Sequence, residues 1–385
     1  MKSCHQSKHI SWCSKFIMKM RCIVKGKYKE RYHLKESALP NKQASRQRIS
    51  LFTSYIFLIL IMPLLSTLKY HLRSITSVIL LGACAIYGVV ISCVFNVIGQ
   101  KRLSQWSTAR CFNLIMGGIL GISFKVINEH YLNESAPCIF ISNHQSTLDI
   151  LMLGRTFPKG CTVTSKKSLK YVPFLGWFMS LSGTLFLDRA NRDKSVNTLN
   201  KGLQRLVKEK GSLWIFPEGT RSRTTELKML PFKKGAFWLA KEGKIPVVPV
   251  IVSNTSTINN AKLKIFNRGE ITVKILAPES LENIETKEQM NEFVARIENE
   301  MNDELKNNVG YSTPIDSTGV PQEYLDWLAK KQACDSTTDV ETESVDVIDA
   351  NVSANDEAVT SDNESTAVSA DVEVHNITVS SSRKK

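Results

Sequence analysis

Asn143-His-Gln-Ser-Thr-Leu-Asp149 sets one histidine and one aspartate five positions apart. On a regular helix that offset turns about 500°, which separates the two side chains. A His144–Asp149 contact therefore requires the histidine to precede a helix and the aspartate to lie in its first turns. The flanks permit this, because "CIFIS" (138–142) reads as a strand and Leu148, Leu151 and Met152 mark the apolar side of a following helix. Asp149 could then hold one imidazole N–H and leave the other nitrogen free as a general base. The positive end of the helix would help keep that base neutral. An Asn143 helix cap beside a partly exposed histidine explains the same letters, and this stretch alone does not choose.

A second group lies in "FPEGTRSRTTELKMLPFKKGAF" (216–237). Gly219 lets a backbone approach a ligand, and Thr220 and Arg221 supply donors suited to phosphate oxygens. Glu218 belongs to the same turn, and Lys233 and Lys234 add charge before a further helix, Lys234 being the candidate ligand. No G-x-x-x-x-G-K-[ST] loop occurs, so this is not a P-loop. Asp188 and Arg189 end another strand, where Arg189 could converge on the same anion or form a capping salt bridge. Pro173 and Gly176 shape a segment that could be a groove or a core helix. Pro246 and Pro249 lie in a strand, which argues for a sheet edge or a shaped opening. The nine cysteines show no C-x-x-C pair, so neither a disulfide framework nor a metal site is expected.

These residues need strands to carry them. Segments 138–142, 161–165, 184–188, 212–216, 247–252 and 271–276 read as strands and alternate with amphipathic helices. One helix carries Leu199, Leu203 and Leu206, and another carries Met290, Phe293, Val294, Ile297 and Met301. The pattern predicts an α/β domain with a mostly parallel sheet flanked by helices, its chemistry at the carboxyl ends of the strands.

Around this domain the charge is uneven. Residues 1–331 hold 47 basic and 24 acidic side chains, a net charge of +23, while 332–382 hold twelve acids and no Lys or Arg. Such a body favours a polyanion: nucleic acid, an anionic membrane or a phosphorylated substrate. Ile49–Leu68 and Ser74–Gln100 are uncharged and long enough to span a bilayer. They read as two spans, or as an interfacial hairpin around the basic link Lys69–Arg73. Cys111–Phe124 reads as an interfacial helix. The expected organisation is a basic extension (1–48), membrane-anchoring helices (49–125), a catalytic domain (126–310), a linker (311–331) and a disordered acidic tail (332–385). Asn133, Asn254, Asn351, Asn363 and Asn376 head N-x-[ST] sequons that could report topology.

Four blocks in this order resemble the glycerolipid acyltransferases, in particular the fungal 1-acyl-sn-glycerol-3-phosphate acyltransferases. They are Asn143–Asp149, Gly183–Arg189, Phe216–Ser222 and Val248–Val250. The resemblance implies His144 as general base, Asp149 as its orienting partner, and Arg189, Glu218, Gly219, Thr220 and Arg221 as ligands of the acceptor's phosphate. It associates Pro173, Gly176, Pro246 and Pro249 with accommodating the acyl chain and acyl-CoA. The implied reaction takes lysophosphatidate and acyl-CoA to phosphatidate and CoA. It needs no cofactor or metal, involves membrane lipids and no nucleic acid, and points to no protein partner. An endoplasmic reticulum or lipid-droplet membrane is implied by the same resemblance. Glycerol-3-phosphate or another lysophospholipid as acceptor remains open, as does a non-catalytic anionic-ligand binder.

Overall fold

A computed structural model describes residues 41–188, 192–316 and 319–333. Arg189, residues 1–40 of the basic extension and residues 334–385 of the acidic tail lie outside that description. The first element, α1 (Asn41–Val97), is one continuous helix and begins inside the stretch expected as an extension. The expected pair of spans is therefore a single rod, with no turn at Lys69–Arg73. Those cations are used laterally instead. Lys69 Nζ lies 3.3 Å from Asp316 Oδ2, and the Arg73 guanidinium donates to the carbonyls of Leu120 and Asn267. Leu64–Val97 is long and apolar enough to cross a membrane. Leu64, Leu68, Leu72, Ile75 and Ile79 form an exposed stripe along it, whereas Cys84, Ala85 and Ser92 turn inward.

Next comes α2 (Leu103–Cys111), extended by a wider turn over Phe112–Gly117. The helical path ends at Gly121, whose φ of 63° breaks it. The interfacial helix expected to reach Phe124 thus stops short, because Ile122 opens the first strand. That strand, β1 (Ile122–Ile127), belongs to the sheet, so the domain starts a few residues before 126.

The chain then alternates: β2 (Ile139–Ser142), α3 (Asp149–Thr156), β3 (Cys161–Lys166), α4 (Leu175–Leu181) and β4 (Leu185–Leu187). It continues with α5 (Arg192–Lys208), β5 (Ser212–Ile215), α6 (Gly235–Gly243) and β6 (Val247–Val252). A small hairpin, β7 (Asn259–Asn260) and β8 (Ile265–Phe266), leads into β9 (Gly269–Ile275), α7 (Lys287–Glu304) and β10 (Thr313–Pro314). The main sheet runs β1-β9-β6-β2-β5-β3-β4, with β10 paired to β9. Strands β6, β2, β5, β3 and β4 are mutually parallel, while β9 runs antiparallel to β6. β10 and the Tyr311–Tyr324–Trp327 ring cluster give the expected linker a packed structure of its own.

Strand periodicity divides the core in two. Ile139, Ile141, Leu213, Ile215 and Ile251 meet α5, α6 and α7 on one face. Phe140, Trp214, Val248, Val250 and Val252 meet α2, α3 and Cys84 of α1 on the other. Phe140 and Trp214 are fully buried and stack at 5.1 Å, so Trp214→Ala should cost about 3–5 kcal/mol, read as a lowered unfolding temperature in detergent. β6 is interior, not the edge its prolines suggest. Pro249 is tolerated because its missing N–H falls on the β9 side, one residue outside the Val250↔Ile275 pair that ends that ladder. Its carbonyl there still accepts from Leu276 N at 2.9 Å.

Candidate active site

The carboxyl ends of β2, β5 and β6 lie side by side, and the turn after β2 is fastened to the end of β6. Asn143 is 2% exposed. Its side chain donates to Val252 O at 2.9 Å and accepts from Val252 N at 2.8 Å, so it braces two strands and does not cap α3. The Gln145 amide donates to Val252 O at 2.8 Å and accepts from Thr255 N at 2.8 Å. His144 is therefore held from both sides.

Asp149 opens α3 and is 3% exposed. Its Oδ2 faces His144 Nδ1 in a hydrogen bond and also accepts from Gln145 N at 2.9 Å and Ser146 N at 3.2 Å. A strand-to-helix turn has made the contact that a continuous helix would prevent. The His144 ring stacks on Phe216 at 4.2 Å, which fixes its plane. With Nδ1 engaged by the carboxylate, Nε2 is the nitrogen left to exchange a proton.

Glu218 occupies a different place from the one the resemblance implies. It is 3% exposed and faces away from the cavity that His144 lines. Oε1 accepts from the backbone N–H of His144 at 2.7 Å, and Oε2 accepts from Leu230 N at 3.2 Å. Burial pushes this carboxyl up to about 7 against those two bonds, and the charges of Asp149 and Glu298 add to the rise. Glu218 is thus a positioning residue for the histidine's backbone.

His144 and Asp149 open onto a cavity of about 1030 Å³. Its apolar wall includes Leu81 of α1, Phe112, Leu153, Phe178 and Met179, and its polar wall includes Lys166, Thr220, Arg221, Arg223 and Lys233. None of these four cations forms a salt bridge with a described carboxylate. Arg221 Nε is buried without a hydrogen-bond partner among the described residues, a donor oriented for an anion. Base, cation cluster and apolar chamber share one space.

The family model for acyltransferases matches residues 123–253, which carry His144, Asp149, Glu218 and the cavity's cations. The chain is 54% identical to the 1-acyl-sn-glycerol-3-phosphate acyltransferase of Saccharomyces cerevisiae, across 70% of this chain and 88% of the relative. The chain belongs to the 1-acyl-sn-glycerol-3-phosphate acyltransferase family. It is also 38% identical to the human 1-acyl-sn-glycerol-3-phosphate acyltransferase beta, over 40% of this chain and 55% of that protein. A crystal structure of the 1-acyl-sn-glycerophosphate acyltransferase PlsC from Thermotoga maritima shares the fold. It superposes with a TM-score of 0.50 at 22% identity, covering 64% of this chain and 98% of that one.

Within this acyltransferase, Gly219, Thr220 and Arg221 line the cavity with His144 and Asp149. Lys234 does not, since its ammonium is bound by Asn291 Oδ1 on the surface. Its neighbour Lys233 takes the inward position. A Cβ on Gly219, where φ is 69°, would lie 2.6 Å from Lys233 Nζ, so the glycine leaves room for the lysine to cross the turn. The sequence marks Lys233 and Lys234 alike as charge before the helix, and the preference for Lys234 is corrected to Lys233 by the direction each side chain takes. Lys166 and Arg223 lie in the cationic stretches 166–183 and 216–237 but are not singled out there, because the sequence does not show which of their cations face the cavity. Pro173 is exposed outside the cavity, and Gly176 is packed where a Cβ would meet Lys170 O at 2.1 Å. Pro246 lies at the amino end of β6, its carbonyl accepting from Ile139 N at 3.0 Å, at the opposite end of the parallel strands from His144. Pro249 is buried in β6 between Val248 and Val250. None of the four contacts the cavity. Asn254 is 2% exposed and its side chain is engaged by Ser256 N and Glu226 O, so this sequon cannot report topology in the folded protein.

Proposed function

We propose that this membrane-associated acyltransferase moves an acyl group from acyl-CoA to the sn-2 hydroxyl of lysophosphatidate, at the endoplasmic reticulum or a lipid-droplet surface. His144 Nε2 takes the hydroxyl proton as the oxygen attacks the thioester carbonyl. The tetrahedral intermediate collapses with cleavage of the C–S bond, and the imidazolium returns the proton to the departing thiolate. Phosphatidate and CoA leave, and the step balances with two substrates and one base. Asp149 holds the tautomer and offsets the transient positive charge on the ring. The observation that carries this reading is the shared cavity, where the imidazole Nε2 and Arg221, Arg223 and Lys233, which form no salt bridge among the described residues, serve one apolar chamber. Holding the acceptor's phosphate there while the chain lies along the apolar wall would supply orientation.

The test is release of CoA thiol by purified protein. It should depend on lysophosphatidate and not be matched by glycerol-3-phosphate or by lysophospholipids whose phosphate carries a head group. Equal rates with those acceptors would move the assignment to a broader acyltransferase, and no release would leave only a binder. Lys233→Ala should raise KM for lysophosphatidate about 10- to 100-fold, the loss of one charged hydrogen bond, with little change for acyl-CoA. Lys234→Ala should leave both constants near wild type, and the two variants together check which lysine faces the substrate.

A further inference from the structure

The lip of the cavity carries a projection whose outer aromatic side chains are not accounted for by packing within the domain. It comprises the turn Lys167–Tyr171 and α4. Leu169, Leu175, Phe178 and Met179 face the cavity. Tyr171, Phe174 and Trp177 remain outside, at 75%, 42% and 54% exposure. Phe174 has φ 58° and ψ −54°, a backbone region that costs a bulky residue about 1–3 kcal/mol. Such a cost is retained where it presents a side chain for use. Phe174 and Trp177 meet edge to face at 5.1 Å, forming one aromatic tip. Lys166 and Lys170 flank it, while Lys167 is paired with Asp188 at 2.9 Å, and no other acidic residue occurs from 166 to 188. Exposed aromatic rings backed by lysines are the composition of a membrane–water interface.

The projection is also tied to the apolar helix. Phe178 packs against Gly88 of α1, where a Cβ would lie 2.7 Å from its ring. Asn96 Nδ2 donates to Leu181 O at 3.2 Å. A bilayer that takes up α1 therefore meets the cavity's lip.

We infer that residues 169–177 insert into the interface of the same bilayer that holds α1, opening the cavity sideways to lipid. A single-chain lysophospholipid then enters from the membrane, a consequence that rests on the function proposed above. The occupant of the aromatic tip is the bilayer and not a second copy of this chain. The lysines and the continuity with α1 favour anionic lipid.

The insertion is tested on full-length protein in anionic vesicles containing phospholipids brominated near the head of the acyl chain. Tryptophan emission should be quenched, with a component that disappears in Trp177→Phe. Tyr171→Ser/Phe174→Ser/Trp177→Ser should lose about tenfold in activity on long-chain lysophosphatidate embedded in vesicles. Activity on a short-chain, water-soluble lysophosphatidate should change less than about twofold, since the interior of the site is untouched. Absence of a bromine-dependent Trp177 component overturns the inference. So does an equal loss on both acceptors, or a detergent-stable dimer that the triple substitution dissociates. If wild type transfers no acyl group but Trp177 is quenched, the functional reading fails and the insertion stands.

Discussion

His144→Ala should lower kcat for acyl transfer by about 10²- to 10⁴-fold, the range for loss of a general base. The KM values should stay near wild type, because the ring's neighbours are Asp149 and Phe216, while the cations lining the cavity belong to other segments. Asp149→Asn tests the unit more sharply. The aspartate is hydrogen-bonded by the imidazole and by two backbone N–H groups. An amide presents only one oxygen and turns an NH₂ toward another donor. The ring would then rotate or reverse its tautomer, and kcat should fall by about 10³- to 10⁴-fold. The double variant should be no worse than the more damaged single, since the two side chains act together. CoA-thiol release under saturating substrates measures all three. Losses that multiply in the double variant, or His144→Ala retaining more than about a tenth of wild-type kcat, would refute the pair as a catalytic unit.

The pair was legible because its spacing carries geometry. Five residues forbid contact on a helix and permit it across a strand end, and the apolar runs on either side supplied that strand end. The six strands were legible for a similar reason, since each is a short β-branched or aromatic run between turn residues. What the sequence left hidden depends on direction. Glu218 stands beside Thr220 and Arg221 in one motif, yet its side chain points inward to two N–H groups while theirs open onto the cavity. Adjacent letters do not report that divergence. Lys233 and Lys234 differ only in side-chain direction at the entrance to α6, and Pro249 looks like an edge residue unless the end of the β9 ladder is known. Lys69–Arg73 looked like a link because charges interrupt an apolar run. Lys69 and Arg73 instead reach Asp316, Leu120 and Asn267 without breaking the helix, partners too distant in sequence to foresee.

Glu218→Gln should separate positioning from phosphate binding. An amide keeps one acceptor for the two N–H groups of His144 and Leu230, leaving the other opposed by its own NH₂. An orphaned buried donor costs about 1–3 kcal/mol, so kcat should fall about 10- to 100-fold as the turn bearing His144 shifts. KM for the phosphate-bearing acceptor should hold, because this carboxyl does not line the cavity. A carboxyl that touched the phosphate would do the reverse. The pH dependence of stability supplies a second readout. Burial, reinforced by Asp149 and Glu298, holds the folded carboxyl up to about 7, above the ordinary value of 4.5. A raised carboxyl binds its proton more tightly in the folded state, so its contribution is complete below about pH 4.5 and disappears as pH climbs through 7. Wild type should therefore lose stability relative to Glu218→Gln between about pH 4.5 and pH 7, by an amount on the order of 3 kcal/mol at the upper end, with little further change above it. Parallel unfolding-temperature profiles for the two proteins would rule out this titration. Near neutrality, the carboxylate that best receives both N–H groups is also the form that burial disfavours, so the histidine's backbone is held at a cost that only the charged acceptor's two bonds offset.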